Sequence, residues 1–344
     1  MKITPFLMGS GRSANALKKS LYLLGVQYPE WKIGEPVQIV RGEKLKMVSD
    51  FETPILMIAN PHGLHAEAIL EGEKAGFRGI VVEKPACVNQ RETEALKSVR
   101  IPVAVCHVYR QMWGIQTLKK MIESGDLGEV ICIEGRYWQS STAQRALDSQ
   151  AMTKSWKNDP SLSGGSDALI DLGVHWVDAV SFLLGEQRFQ GTAWKSYANA
   201  ETPHRDSHVH LSLRYANGRR AFGSISKTFH GATNHFEVNV VGSKKSATWQ
   251  FSNPDEITVG IGSSRKTIPR KDTQLGSQQP PFHGVGWIEG YIETLRQLLL
   301  EIAVGKGGGN YPTLPDNIKM LESLFSLEHV NDGNEKSLSD IRST

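Results

Sequence analysis

Short apolar runs alternate with helical spacings through the first third of the chain. Phe6–Met8 reads as a strand, Gly9-Ser10-Gly11 follows, and Ala14, Leu17 and Leu21 recur at helix spacing behind it. Val37–Val40 reads as a second strand and Ile55–Ala59 as a third, with a helix over His65–Ala75. Gly79–Val82 is a strand, Glu92–Val99 a helix and Val103–Cys106 a strand. Near-continuous apolar strands separated by helices predict a parallel sheet with helices on both faces. The stretch between the second and third strands is short, so a strand–helix unit is truncated there.

Met112–Ser124 reads as a helix that closes this first domain, and Gly125-Asp126-Leu127-Gly128 punctuates it. Beyond that point the period changes. Val130–Trp138 is a long strand, and an isolated helix spans about Asp167–Leu184. Arg188–Tyr197, His208–Tyr215, Arg220–Phe229 and His235–Val241 alternate with period two. In one of them His208, His210, Ser212 and Arg214 share a face, and Val209, Leu211, Leu213 and Tyr215 share the other. A half-solvated antiparallel sheet has this pattern. Asn217-Gly218 marks a hairpin. Helices over about Gly286–Ala303 and Asp316–Asn331 end the chain. The fold class is therefore an α/β domain over residues 1–124 and an α+β domain over residues 125–344. The second has a large, open, mostly antiparallel sheet, and the C-terminal helices are placed to pack back on the first domain.

Charge and composition narrow the function. Lys and Arg total 39 against 36 Asp and Glu, a net +3, too small an excess for a nucleic-acid binder. No apolar run approaches the roughly 18 residues of a membrane span, and Met1–Gly9 is too short for a signal core. Cys87, Cys106 and Cys132 are too widely spaced for a disulfide framework or a metal site, so buried thiols in a reducing, cytoplasmic compartment are expected. His62 and His65 lack a third ligand nearby. His204, His208, His210, His230 and His235 have no metal spacing, so no metal is predicted. Lys244-Lys245 and Arg270-Lys271 read as solvated pairs at turns.

Gly9-Ser10-Gly11-Arg12-Ser13-Ala14 fits G-x-G-x-x-(G/A) between a strand and a helix. The first Gly makes the turn, the second admits a pyrophosphate, and the helix N-terminus favours its charge. The acid expected to bind the ribose at the end of the second strand is absent, the stretch being Val40-Arg41-Gly42-Glu43. Arg12 and Arg41 instead suit a 2′-phosphate, which leaves NADP or NAD as the cofactor. Asn60-Pro61-His62 ends the third strand and Glu83-Lys84-Pro85 the fourth. Ligands bind at the carboxyl ends of such strands, so these residues, with His65, join Gly9 to Ser13 and Arg41 as candidate cofactor contacts. In the second domain Ser166 is placed to cap the isolated helix. Asp171 and His175 share a face of it, Asp178 continues that face, and Leu172, Trp176 and Ala179 form a core stripe beside it.

These segments together resemble the Gfo/Idh/MocA oxidoreductase family over nearly the whole chain. The specific part is Glu83-Lys84-Pro85 with Gly164-Gly165 and Asp171-x-Gly173-x-His175, and Val108-Tyr109-Arg110 and Ser124–Val130 also look like family segments. The resemblance implies a Rossmann domain, an open second-domain sheet that self-associates into a homodimer or homotetramer, and NAD(P)-linked chemistry at a sugar or cyclitol carbon. The family's catalytic lysine, aspartate and histidine fall on Lys84, Asp171 and His175. Ser166 departs from the pattern, since a third Gly is common there. His175, with an ordinary pKa of about 6.5, suits the general base, and Lys84, at about 10.4, suits stabilisation of the reacting oxygen. Asp171 is expected to orient His175 or hold a hydroxyl. Tyr109, Arg110, Tyr137 and Trp156 are further candidate substrate contacts. An NAD-dependent glycosidase and a non-catalytic dinucleotide-binding regulator are the alternatives on the same scaffold.

Overall fold

The computed structural model describes residues 1–147, 156–197, 205–270, 286–305 and 309–331. In chain order the first elements are β1 (Lys2–Met8), α1 (Arg12–Gln27), β2 (Lys32–Ile33), β3 (Val37–Ile39), β4 (Thr53–Ile58), α2 (His65–Ala75), β5 (Gly79–Val82), α3 (Gln90–Leu96) and β6 (Val103–Val105). Then come α4 (Trp113–Glu123), β7 (Val130–Trp138), α5 (Ser141–Leu147), α6 (Pro160–Ser163), α7 (Val174–Leu184), β8 (Phe189–Ser196), β9 (His208–Tyr215) and β10 (Arg220–Ser226). The last are β11 (His235–Gly242), β12 (Ser246–Gln250), β13 (Glu256–Ile261), β14 (Ser264–Pro269), α8 (Ile288–Val304), α9 (Leu314–Phe325) and β15 (Glu328–Asn331). Two compact units divide the chain at Met112/Trp113, Lys271/Asp272 and Ile318/Lys319. The helix expected to close the first domain, α4, thus belongs to the second unit, and α8 belongs to the first.

The first unit is built on a parallel sheet in the order β2-β1-β4-β5-β6, with β3 also pairing β1. No helix separates β3 from β4, as the short spacing predicts. Every residue of β4 and β5 is buried, which is why these strands read as unbroken apolar runs. The strand order reverses at β1, with β2 and β3 paired to it before the chain crosses to β4 on its other side. That crevice is where open α/β sheets bind ligands.

The second unit holds a nine-stranded sheet, β14-β13-β12-β11-β7-β10-β9-β8-β15. Only β7–β10 and β8–β15 pair in parallel. The alternation of β9 is realised, with Val209, Leu211, Leu213 and Tyr215 buried on one side. Gly218 turns the hairpin at φ +83°. Three strands, β12, β13 and β14, lie beyond the predicted ones, and residues expected at the end of the last helix form β15. Arg270 is buried and 3.0 Å from Asp255, so it is not a solvated turn residue. Its charge is balanced by a partner fifteen residues upstream, which spacing alone does not reveal. Lys271 and His204 lie outside the described residues. Among the described residues no helix is long and apolar enough to cross a membrane.

Trp176 anchors α7 on this sheet. Gly135 of β7 and Gly223 of β10 are directly opposed. A Cβ at Gly223 would lie 2.7 Å from the Trp176 ring, and one at Gly135 would lie 2.7 Å from its Nε1. Two adjacent glycines leave a hollow, and the fully buried indole of α7 fills it. Gly223→Ala should therefore overpack the site and cost about 1–3 kcal/mol, read as a lower Tm. Adding Trp176→Phe, a smaller ring, should recover part of the loss.

Candidate active site

In the first unit the strand ends line up by backbone hydrogen bonds. Ala59 N–H donates to the Met8 carbonyl, Glu83 N–H to Ile58 and Cys106 N–H to Val82, at 2.8–2.9 Å. Gly9, Asn60, Lys84 and His107 therefore follow one another along the carboxyl edge. Gly9 has φ +107°, and a Cβ there would sit 2.3 Å from the Ala59 carbonyl oxygen, so no other residue fits. A Cβ at Gly11 would meet nothing within 4 Å. Open space thus lies over the start of α1, which has no side-chain cap and no acid in its first turn. Beside it, Asn60 Oδ1 is buried with no hydrogen-bond partner. An uncapped helix start, open space at Gly11 and a spare buried acceptor fit a dinucleotide.

The remaining edge residues brace one another. His65 is fully buried, with Nδ1 2.7 Å from the Pro85 carbonyl and Nε2 2.9 Å from that of Asn60. Burial holds its pKa below the usual histidine value, against the pull of both carbonyls. His62 is buried in a short turn over His62–Leu64, tilted against His65. The Glu83 carboxylate accepts from the Tyr291 hydroxyl of α8 and bonds Ser13, and burial raises its pKa. Lys84 is buried next to it. His107 has its pKa pushed well down by burial and by the charges of Arg110 and Lys84. Its Nε2 lies 2.7 Å from the Asn317 amide nitrogen. Tyr109 and Arg110 are buried, and Arg110 is 3.8 Å from Asp316. Ser10, Arg12 and Arg41 are exposed.

The second unit holds Asp171, His175, Tyr137 and Trp156. Asp171 sits in a wide π turn, Leu169–Gly173, that leads directly into α7. The expected helix over 167–184 is therefore not α-helical at its start; π turns of this kind recur at functional sites. Nor does Ser166 cap it. The Ser166 hydroxyl donates to the Asp206 carboxylate, and that carboxylate accepts the N–H groups of Asp167 and Leu169 at 2.9 and 2.8 Å. The cap comes from a residue 40 positions downstream, a charged acceptor that outcompetes a local hydroxyl. Arg205 secures the same segment, donating to the carbonyls of Ser166 and Lys157.

Two lysines converge on Asp171. Lys157 Nζ is 2.6 Å and Lys227 Nζ 2.8 Å from Oδ2, and Lys227 is also 2.6 Å from Asp167. His175 is buried, with the Tyr137 ring edge-on at 6.0 Å. The Tyr137 hydroxyl donates to Asn234 at 2.9 Å. Trp176 is buried on α7 as predicted, Asp178 is buried as well, and Trp156 is half-buried beside Lys157. Lys157, Lys227 and Asp206 are residues the sequence reading missed. A signal existed for Lys227: it continues the inward parity of Ala221, Gly223 and Ile225, where a lysine requires a buried partner. Among the described residues no cluster of three metal-ligating side chains occurs, and Cys87 and Cys106 are buried outside any disulfide.

Comparison with known proteins agrees with this architecture. Residues 119–326 match the model of an oxidoreductase family, C-terminal alpha/beta domain. Levoglucosan dehydrogenase of Pseudarthrobacter phenanthrenivorans is 26% identical over 310 residues, covering 80% of this chain and 77% of the relative. Glucose-6-phosphate 3-dehydrogenase of Bacillus subtilis is 23% identical over 251 residues, covering 70% and 69%. The crystal structure of an inositol dehydrogenase homologue from Azotobacter vinelandii with NAD+ superposes with a TM-score of 0.75 at 18% identity, covering 94% of this chain and 93% of that one. A levoglucosan dehydrogenase complex with NADH and levoglucosan gives 0.79 at 23% identity, covering 94% and 97%. With a family model matching well over half of its length, and both units built as described, the chain belongs to the Gfo/Idh/MocA oxidoreductase family.

Proposed function

We propose that the protein is a nicotinamide-dinucleotide-dependent dehydrogenase or reductase acting at a CH–OH carbon of a sugar, sugar derivative or cyclitol. Two observations support the reading: in the first unit a buried lysine lies on a dinucleotide-compatible strand edge, and in the second a histidine and a lysine-held carboxylate lie at one helix start. The relatives named above are dehydrogenases of such compounds. A bound dinucleotide would supply the hydride acceptor or donor, held by Gly9 to Ser13 and Asn60. His175 takes the hydroxyl proton, Lys84 donates a hydrogen bond to the reacting oxygen as negative charge develops, and Asp171 accepts from a neighbouring hydroxyl or orients His175.

Three outcomes test this. Nicotinamide absorbance, followed with a panel of free, phosphorylated and nucleotide-linked sugars and cyclitols, should report turnover. His175→Ala should then lower kcat by about a hundredfold or more. Lys84→Met should lower kcat with cofactor affinity nearly unchanged, because its work is on the reacting oxygen.

For cofactor choice, Arg41 is exposed in the turn after β3 and Arg12 is exposed at the start of α1. We propose that NADP(H) binds at least as well as NAD(H). Calorimetric titration with both cofactors checks it, and Arg41→Ala should weaken NADP(H) selectively. A preference for NAD(H) that Arg41→Ala leaves untouched removes the argument.

The outward face of the nine-stranded sheet bears Trp194 and Phe222, 39% and 40% exposed, with Arg136 lying over the Trp138 ring. This face supports assembly into a homodimer or homotetramer. Light scattering at micromolar concentration should give a mass of at least twice 38.0 kDa.

A further inference from the structure

We infer that Lys227 is a positioning residue for Asp171, the buried cation that keeps this carboxylate ionised and aimed. The inference rests on the function proposed above. Lys227 follows β10 on its inward parity, is 1% exposed, and reaches Asp171 at 2.8 Å and Asp167 at 2.6 Å. Its backbone is fixed as well, because its N–H donates to Ser207 and its carbonyl accepts from Thr142 of α5. A fully buried ammonium is tolerated only when paired. Here burial works against the charged form, yet the carboxylates of Asp171 and Asp167 outweigh it, and the lysine titrates above its usual value. It is a cation at every working pH.

Lys157 lies on the same Asp171 oxygen but does a different job. Its side chain is 33% exposed, against 1% for Lys227. The two distances differ by less than a tenth, whereas the effective dielectric falls about fourfold from bulk water to a partly buried pair. Salt screens an exposed charge and hardly reaches a buried one. Lys227 is therefore the less screened of the two cations on Asp171, and Lys157 is the more screened. Among the described residues, charged or titratable groups near the pair include Asp167 at the helix start and His175 four residues along. Asp206 and Arg205 lie behind Ser166, Lys195 of β8 donates to Ser166, and Arg145 of α5 is held on Thr142. Asp206 is committed to the helix N–H groups, which leaves Lys227 as the buried cation between Asp167 and Asp171.

Removing the cation favours the protonated carboxyl, so the pKa of Asp171 must rise. The test uses Lys227→Met and the double variant Lys227→Met/Asp167→Asn, which removes one charge of each sign and keeps the buried site balanced. The double variant should fold with a Tm near that of the parent. Its kcat should still fall about tenfold or more with the KM for cofactor unchanged. The acid limb of its pH–rate profile should move up by about one unit. Independently of turnover, NMR titration of carboxyl-labelled aspartate, with Asp171→Asn for assignment, should show Asp171 protonating about one unit higher. A balanced double variant with parental kcat and an unmoved Asp171 titration overturns the inference, since Lys227 would then only neutralise Asp167. If the parent turns over none of the tested polyols, the proposed function fails while the titration still decides the role of Lys227.

Discussion

The second unit depends on one knob and its hole. Gly135 and Gly223 face each other on neighbouring strands, and the Trp176 indole occupies the space their missing side chains leave. A rigid ring buried in a close-packed hollow fixes a helix in both rotation and height, because packing at this density tolerates few shifts. Trp176 directly follows His175 in sequence. The ring that locks α7 onto the sheet therefore also fixes where the imidazole emerges, and the π turn in front of it sets the direction of Asp171.

Around that helix start the structure concentrates charge out of water. Lys227, Asp167, Asp171, Asp206, Arg205 and Lys195 are all buried. Isolated, each would be costly, and as an interlocked set their charges balance, three of each sign. The Asp206 carboxylate takes two backbone N–H groups and the Ser166 hydroxyl, and Arg205 takes two carbonyls. Such a network has little freedom to relax, which suits a site that must present one carboxylate oxygen in one place. The first unit reaches the same end differently. There His65, Glu83, Tyr291 and Asn317 tie strand ends and C-terminal helices together around Lys84 and His107. The open space over Gly11 and the start of α1 is where a ligand phosphate would find unused donors.

Much of this was legible in the chain. Unbroken apolar runs identified β4 and β5 because both faces are covered, and clean alternation identified the two faces of β9. Gly9, with its positive φ and its contact on Ala59, shows why the glycine pattern reads as a turn against the next strand. The stripe of Leu172, Trp176 and Ala179 predicted the core face of α7 correctly. Local spacing carried these because they depend on neighbours within a few residues and on which side water lies. The sequence also placed Lys84 just past the end of a strand and Asp171 and His175 on one helix.

Other features arise only from tertiary structure. Ser166 has the residue type and position of a cap, yet Asp206 does the capping, because a charged acceptor forty residues away is folded onto the helix start. Arg270 looks solvated until Asp255 is brought beside it. The helix at residues 113–123 sorts with the second unit, since its apolar face, from Gly114 onward, meets Trp249 of β12. Asp171 gains two lysines from positions 14 residues before it and 56 residues after it. By itself the sequence determined which elements form and which face each one buries, because those follow from local geometry and transfer from water. The pairing of buried charges was decided by the tertiary structure alone, because a charge out of water takes whatever partner the fold delivers, at any distance along the chain.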